Sequence, residues 1–434
     1  MPWLEAYPQR WLKCCNLFAM RVAWVAPNGG NFTLSSLKGT GGWISSMESA
    51  LLESNEDIEL GVVFVHSEDL QPIKHDRVTY YPVYRPLENN IQKLYHRWFR
   101  DEEKYEDALV AQMVEYIEQF KPDIVHIWGC ENLYVKVLKY INYPSVVHIQ
   151  GFASSIVQHY LPNGVSVADI ASQDNFLDRY IFKRGNLHNY KSFLLRVAIE
   201  KEMAEYITNW IGRTEWDRAS AYCLAPQAKY YHCDELMRKE FYEHQWRYHY
   251  DGKLVIQSSI SNTWYKGVDV VLKTAQTLKS LGVDFEWNVY GVTEGSSVVR
   301  FFSRRYHIEP KSMNVNLLGY VDGATIMQGL LKSDVYVHPS YIENGCNAVQ
   351  EAMLLGLPIV AHYTGGLTTT LNDNSGMLVQ PSDSSAMAYA ILQMRNRDVA
   401  EYYSQRGRKT AISRHDRNRV VADLLTAYRS IINE

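Results

Sequence analysis

The stretch 338–366, HPSYIENGCNAVQEAMLLGLPIVAHYTGG, leaves this chain few ways to fold. Residues 334–338 (DVYVH) form a short β-branched run stopped by Pro339, which reads as a buried strand. Residues 341–345 read as a loop. A helix follows, with Ala348, Val349, Ala352, Met353 and Leu355 as apolar positions. Asn347 and Gln350 are spaced as its N-cap and reciprocal partner. Gly356 is placed to end the helix, and Pro358 cannot continue it. Residues 359–361 supply a second strand, and such a unit normally joins parallel strands.

That geometry carries chemistry. In open parallel sheets ligands sit beyond the carboxyl ends of the strands, and Glu343 lies there, just ahead of the helix. The helix start offers unpaired N–H groups and a positive dipole end, which suit a diphosphate. Gly345 lets the backbone approach such a ligand. Glu351, with seven residues between it and Glu343, can face the same crevice. Two carboxylates spread across a phosphate site point to hydroxyl recognition, one for a sugar and one for a ribose. An isolated pair of acids would read as solvated. The flanking PSYIEN, EAMLLGLPIVA and TGG argue against that here.

The rest of the chain repeats the rhythm. Strands are expected at 21–26, 60–65, 123–128 and 145–150, with helices at 43–52, 101–120 and 190–206. After an irregular stretch at 233–250, strands are expected at 253–257, 285–290 and 314–318, with a helix at 268–281. The alternation predicts two doubly wound α/β domains facing each other. A chain of 434 residues with net charge −4 and 46% hydrophobic content suits that architecture, and it does not suit disorder or nucleic-acid binding. The six cysteines form no Cys-x-x-Cys pair and no zinc spacing, so free thiols in a reducing cytosol are expected. No apolar run approaches the ~20 residues of a membrane span. Glu5, Arg10 and Lys13 interrupt any signal-peptide core, and residues 1–19 are expected to form a tail. The loop KGTGG at 38–42 is no GxGxxG fingerprint, and no GxxxxGK[ST] occurs, which disfavours a dehydrogenase or a P-loop NTPase.

The segment 338–366 closely resembles the signature of family 4 retaining glycosyltransferases, which have the GT-B fold: Glu-x7-Glu, then EAM-x-x-G-x-P-V-V-A and a Gly-Gly turn. The resemblance extends from Met20 onward and fades between about Phe152 and Tyr206. It implies an N-terminal acceptor domain at 20–240, a donor domain at 241–414 and a final helix within 415–434 that crosses back to the first domain. It implies that Glu343 contacts the donor sugar and Glu351 the ribose. Backbone N–H groups of Asn344, Gly345, Cys346 and Asn347 would meet the diphosphate. Lys266, before a helix at a Lys-Gly turn, would contact the donor phosphates, and Gly41 and Gly42 would lie near donor and acceptor. No cofactor or metal is implied beyond a nucleotide-diphosphate sugar, with uracil or guanine as its base.

The chain also departs from the pattern. Where the family carries an arginine after the strand preceding Lys266, this chain has Ser258, Ser259 and Ile260. Arg213 is the candidate substitute, with an interdomain ion pair as its competing role. Gln150 replaces the histidine before Gly151, and His148 shares its strand face. Gln150 can hydrogen-bond a sugar or phosphate and ranks above His148 as a site residue. His126 and Glu131 are candidates for the acceptor side, although a satisfied core histidine is the stronger reading of His126 alone. The basic, aromatic-rich stretch 179–201 either packs on its own domain or touches anionic lipid near a lipid-linked acceptor. The expected activity is transfer of a sugar to a glycan or lipid-linked hydroxyl by a cytoplasmic protein, peripheral at the inner membrane face. A metal-independent sugar-nucleotide epimerase and a non-catalytic sugar-nucleotide-binding scaffold are the alternatives.

Overall fold

The computed structural model describes residues 19–32 and 42–434. The expected tail, apart from Ala19, and Gly41 lie outside the described residues.

Apolar strand runs of this length need a sheet covered on both faces, and two such sheets form. The first contains β1 (Met20–Val25), β2 (Ile58–His66), β3 (Ile73–His75), β4 (Val78–Tyr84), β5 (Ile124–Trp128), β6 (Ser145–His148), β7 (Asn209–Gly212) and β8 (Lys229–His232). Its order is β3-β4-β2-β1-β5-β6-β7-β8, parallel except for the antiparallel β3–β4 pair. The second contains β9 (Leu254–Ser259), β10 (Phe285–Tyr290), β11 (Val315–Gly319), β12 (Val335–His338), β13 (Ile359–His362) and β14 (Met377–Val379). It runs β11-β10-β9-β12-β13-β14, parallel throughout. In each sheet the chain starts centrally and then winds outward both ways. The strand order therefore reverses between β1 and β5 and between β9 and β12, which is where a crevice opens in such sheets.

Side-chain alternation sorts the core. On β5, Ile124 and Trp128 pack with Val420, Leu424 and Tyr428 of the helix Arg417–Ile432. Val125 and Ile127 face the other way, toward Leu109, Met113 and Ile117 of the helix Glu102–Phe120. The preceding helix, Arg397–Arg414, packs instead on the second domain, with Ala400 and Ala411 among Val349 and Met353. The final helix thus returns to the first domain, as expected. The chain passes from one core to the other near residue 237: Cys233 and Leu236 are buried in the first core, Met237, Phe241 and Trp246 in the second. One feature was not expected from sequence. Tyr160, Val165 and Ile170, which lie between β6 and β7, are buried in the core of the second domain.

The returning helix is tied down by one polar chain. Trp24 Nε1 donates to the Tyr428 hydroxyl at 3.1 Å, and that hydroxyl shares a hydrogen bond with His126 Nδ1 at 2.5 Å. All three residues are fully buried. Tyr428→Phe leaves two buried polar atoms without partners and is expected to cost about 1–3 kcal/mol, read as a lowered urea midpoint with unchanged m-value. No change would mean that the hydroxyl is not what seats the helix.

Candidate functional site

Both loops that flank the second switch point carry charge. After β9, the turn Trp264–Lys266 leads into Gly267, which adopts φ +78°. A Cβ there would overlap the carbonyl oxygen of Pro339, so only glycine lets the turn press against the loop after β12. That contact brings Lys266 to Glu343. Lys266 Nζ donates to Glu343 Oε1 at 2.5 Å, and His338 Nε2 donates to the same oxygen at 2.8 Å. Cys346 Sγ lies 3.5 Å from His338 Nε2. Among the described residues Oε2 of Glu343 carries no hydrogen bond, which leaves one carboxylate oxygen for a further donor.

Charge states follow from this packing. Burial works against the Lys266 ammonium, but Glu343 outweighs it and holds the lysine above its usual range. Burial likewise disfavours the Glu343 carboxylate, yet Lys266 and His338 keep its pKa well below the usual one. For His338 burial is overcome by Cys346 and Glu343, and its pKa rises to about 9. At neutral pH the cluster therefore holds two cations around one carboxylate, beside the N-terminus of the helix Asn347–Leu355. His338, Glu343 and Cys346 also bring metal-ligating atoms within 4.8 Å of one another. Lys266 already supplies the cation at that carboxylate, so the group reads as a hydrogen-bonded cluster.

The helix start differs from expectation. Cys346 holds the cap position without a side-chain bond, and the helix begins at Asn347. The Gln350 amide reaches back to Gly345 O at 3.1 Å instead of to an asparagine cap. The space a Cβ at Gly345 would fill is taken by the guanidinium of Arg213. Arg213 is buried and paired with Glu235, and its Nε finds no partner among the described residues. Glu235 Oε1 also accepts from Gln150 Nε2 at 2.8 Å. Asn344 closes the seam: Thr214 Oγ1 donates to its Oδ1 at 3.3 Å, and its Nδ2 donates to Ile149 O at 3.3 Å. Gln150, Arg213, Asn344, Gly345 and Asn347 thus meet where the two domains touch. Asn347 joins through its amide, which faces Gly345 O and Glu235 Oε2 once its nitrogen is turned toward them.

Other expected residues lie elsewhere. Glu351 faces inward from the helix, but both its oxygens are held by Arg238, at 2.7 Å each. Burial raises its pKa, against the pull of Arg238. Gly42 begins the helix Gly42–Glu53 and lies against the Arg238 side chain. His126 and His148 do not line the acceptor side. Strand alternation turns both inward, where they are fully buried and stack on Trp128 at 4.1 and 4.6 Å. Burial drives His126 down to about 3 and His148 well below its usual value, so both are neutral core residues. Glu131 follows Gly129 after β5. Its Oε2 is buried without a partner, and burial raises its pKa to about 7. It makes no hydrogen bond or ion pair with the Lys266–Glu343 cluster among the described residues. Sequence reasoning assigned no role to His338, Arg238 or Glu235. Only His338 carried a signal, as a polar residue closing an apolar strand five positions before Glu343.

The family described as glycosyl transferases group 1 matches residues 243–410. Phosphatidyl-myo-inositol mannosyltransferase of Mycobacterium leprae is 31% identical over 121 residues, covering 27% of this chain and 32% of that protein. Protein CapJ of Staphylococcus aureus is 28% identical over 120 residues, 27% of this chain and 29% of CapJ. The match thus spans about a third of the length of these curated relatives. Sucrose-phosphate synthase from Thermosynechococcus elongatus shares the whole architecture, with TM-score 0.68 at 15% identity over 95% of this chain and 99% of that one. That likeness shows the GT-B fold. Residues 243–410 are similar to a group 1 glycosyl transferase domain.

The His338 pKa, raised from 6.5 to about 9, has a definite consequence. Its bond to Glu343 contributes fully below the unfolded pKa and is lost as pH rises through the folded one. Between about pH 6 and pH 10 the wild type is expected to lose on the order of 2 kcal/mol more stability than His338→Gln. Urea titrations across that range test this; equal losses would mean that His338 is neutral in the fold.

Proposed function

We propose that this chain moves a sugar from a nucleotide diphosphate to an acceptor hydroxyl, with retention of anomeric configuration, in the synthesis of a surface polysaccharide or glycoconjugate. One observation carries the reading: Lys266 and Glu343 meet at the switch point of the second sheet, beside the start of the helix Asn347–Leu355. The cluster has more positive than negative charge and a helix dipole behind it, which suits a diphosphate. Lys266 and the N–H groups around Cys346 stabilise the charge that develops as the bond from the anomeric carbon to the diphosphate breaks. Arg213, with its free buried Nε, supplies a further donor from the first domain and stands in for the arginine missing after β9. Glu343 Oε2 accepts a hydroxyl of the donor sugar.

The acceptor hydroxyl attacks the same face that the diphosphate leaves. Its proton passes to an oxygen of the departing phosphate, so no protein nucleophile or base is needed. The main contribution of the protein is positioning. Gln150 hydrogen-bonds sugar or phosphate at the seam; an amide cannot exchange protons near neutral pH. Glu351 meets the ribose when Arg238 yields one of its two bonds. The base is uracil or guanine. One similar protein is named for mannosyl transfer to phosphatidyl-myo-inositol, which supports an acceptor carried on lipid.

A thermal-shift series against uridine, guanosine and adenosine diphosphate sugars is expected to show stabilisation by one base class. Transfer from that donor should fall about 10²–10³-fold in Lys266→Ala and in Glu343→Ala. Full activity in either variant would remove the assignment. Conversion of the donor without any acceptor would make the chain an epimerase, and tight binding without turnover would make it a scaffold.

A further inference from the structure

We propose that the helix Asn90–Phe99 and the adjoining segment 176–184 form a docking surface for an anionic lipid bilayer. The helix is built locally. Asn89 caps it, accepting from Ile91 N at 3.0 Å and Gln92 N at 2.9 Å, while the Gln92 side chain accepts from Asn89 N at 2.9 Å. None of its residues is buried. Even so, its apolar side chains follow a strict helical spacing: Leu87, Ile91, Leu94, Tyr95, Trp98 and Phe99. Leu87 is 84% exposed, Ile91 80% and Phe99 74%. A soluble domain has no use for a contiguous apolar stripe that no core covers.

The second segment joins this stripe. Trp98 Nε1 donates to Ile181 O at 2.9 Å, Arg97 donates to Phe182 O, and Lys183 Nζ sits 3.4 Å above the Trp98 ring. Phe176, Leu177 and Tyr180 are exposed beside it. The basic stretch 179–201 is therefore divided. Its start belongs to this patch, while Glu200, in the helix Asn186–Met203, is buried. Charge selects the occupant. Residues 85–100 and 176–196 together carry nine lysines and arginines against two acids, in a chain of net charge −4. A second copy would set like charge against like. An anionic leaflet attracts the cations while the stripe sinks to the acyl boundary, the arrangement of an amphipathic helix lying in the interface.

The placement has a purpose under the function proposed above, and this step alone rests on it. Segment 176–184 leads into Asn186, whose side chain accepts from Trp264 Nε1 at 3.0 Å, two residues before Lys266. A lipid-borne acceptor would therefore reach the cleft from the docked side.

Cosedimentation of the full chain with vesicles tests the docking without any sugar chemistry. Binding is expected to vesicles of phosphatidylcholine mixed with phosphatidylglycerol, to weaken with salt, and to be absent with phosphatidylcholine alone. Lys93→Glu with Arg179→Glu should weaken it about fivefold or more per cation removed. Ile91→Ser with Phe99→Ser should weaken it at least as much, with an unchanged melting temperature and an unchanged thermal shift by the donor. Failure to bind anionic vesicles overturns the proposal, as does binding indifferent to both pairs. A dimer that Ile91→Ser with Phe99→Ser dissolves, without vesicle binding, assigns the surface to a second copy. Vesicle binding in a protein that no nucleotide sugar stabilises would sink the transferase reading and leave the docking intact.

Discussion

The ion pair between Lys266 and Glu343 is the contact around which the second domain is arranged. Burying two charges costs several kcal/mol each, and the attraction repays this only when geometry and further hydrogen bonds are good. The fold supplies both. The strand order reverses between β9 and β12, which sets their following loops side by side. Gly267 lets those loops touch, and His338 adds a second donor to the same oxygen. An apolar pair would fill this space more cheaply, so stability alone does not explain the charges. They make sense as a site held ready for a ligand that brings its own negative charge.

The same loop also controls how the domains meet. Asn344 follows Glu343 directly and bonds both Thr214 and the backbone after β6. The carboxylate cannot shift along the chain without disturbing the seam. Arg238, just beyond the crossover from one core to the other, holds Glu351 and lies against Gly42. Glu343 is thus held within its own domain while its neighbour Asn344 reaches the other, and Glu351 is held at the crossover.

The donor half of this arrangement was legible in the sequence because its determinants are local. Strand, loop, helix and glycine stop follow one another within 334–366, and the helix Arg417–Ile432 falls within the expected 415–434. The strands β3, β4, β7, β8 and β14 were not foreseen. Most are three or four residues long, and β4 carries Pro82, which argues against a strand. The histidines show the opposite failure. His148 ends β6 and His126 lies in the middle of β5; both were expected to serve a site, but period two puts them on the inward face. What turns that face into core is the C-terminal helix, some 300 positions away in the chain, and no local pattern reveals such a partner. Arg213 was foreseen as a phosphate contact or an interdomain ion pair; the pair it makes is with Glu235 of its own domain, and its Nε lies against Gly345.

The region where resemblance faded, 152–206, proves the least ordinary part of the molecule. Tyr160, Val165 and Ile170 leave their own sheet and enter the core of the second domain. Phe176, Leu177 and Tyr180 do the reverse and face outward. One stretch of chain thus commits apolar residues to joining the domains and to an unburied surface. Neither use contributes to the packing of the first sheet, so neither is fixed by the fold. A donor site must present the same phosphate and ribose contacts whatever sugar is moved. The acceptor and the surface that carries it are free to differ. The individuality of this chain lies in the segment between β6 and β7, together with the exposed helix it clasps.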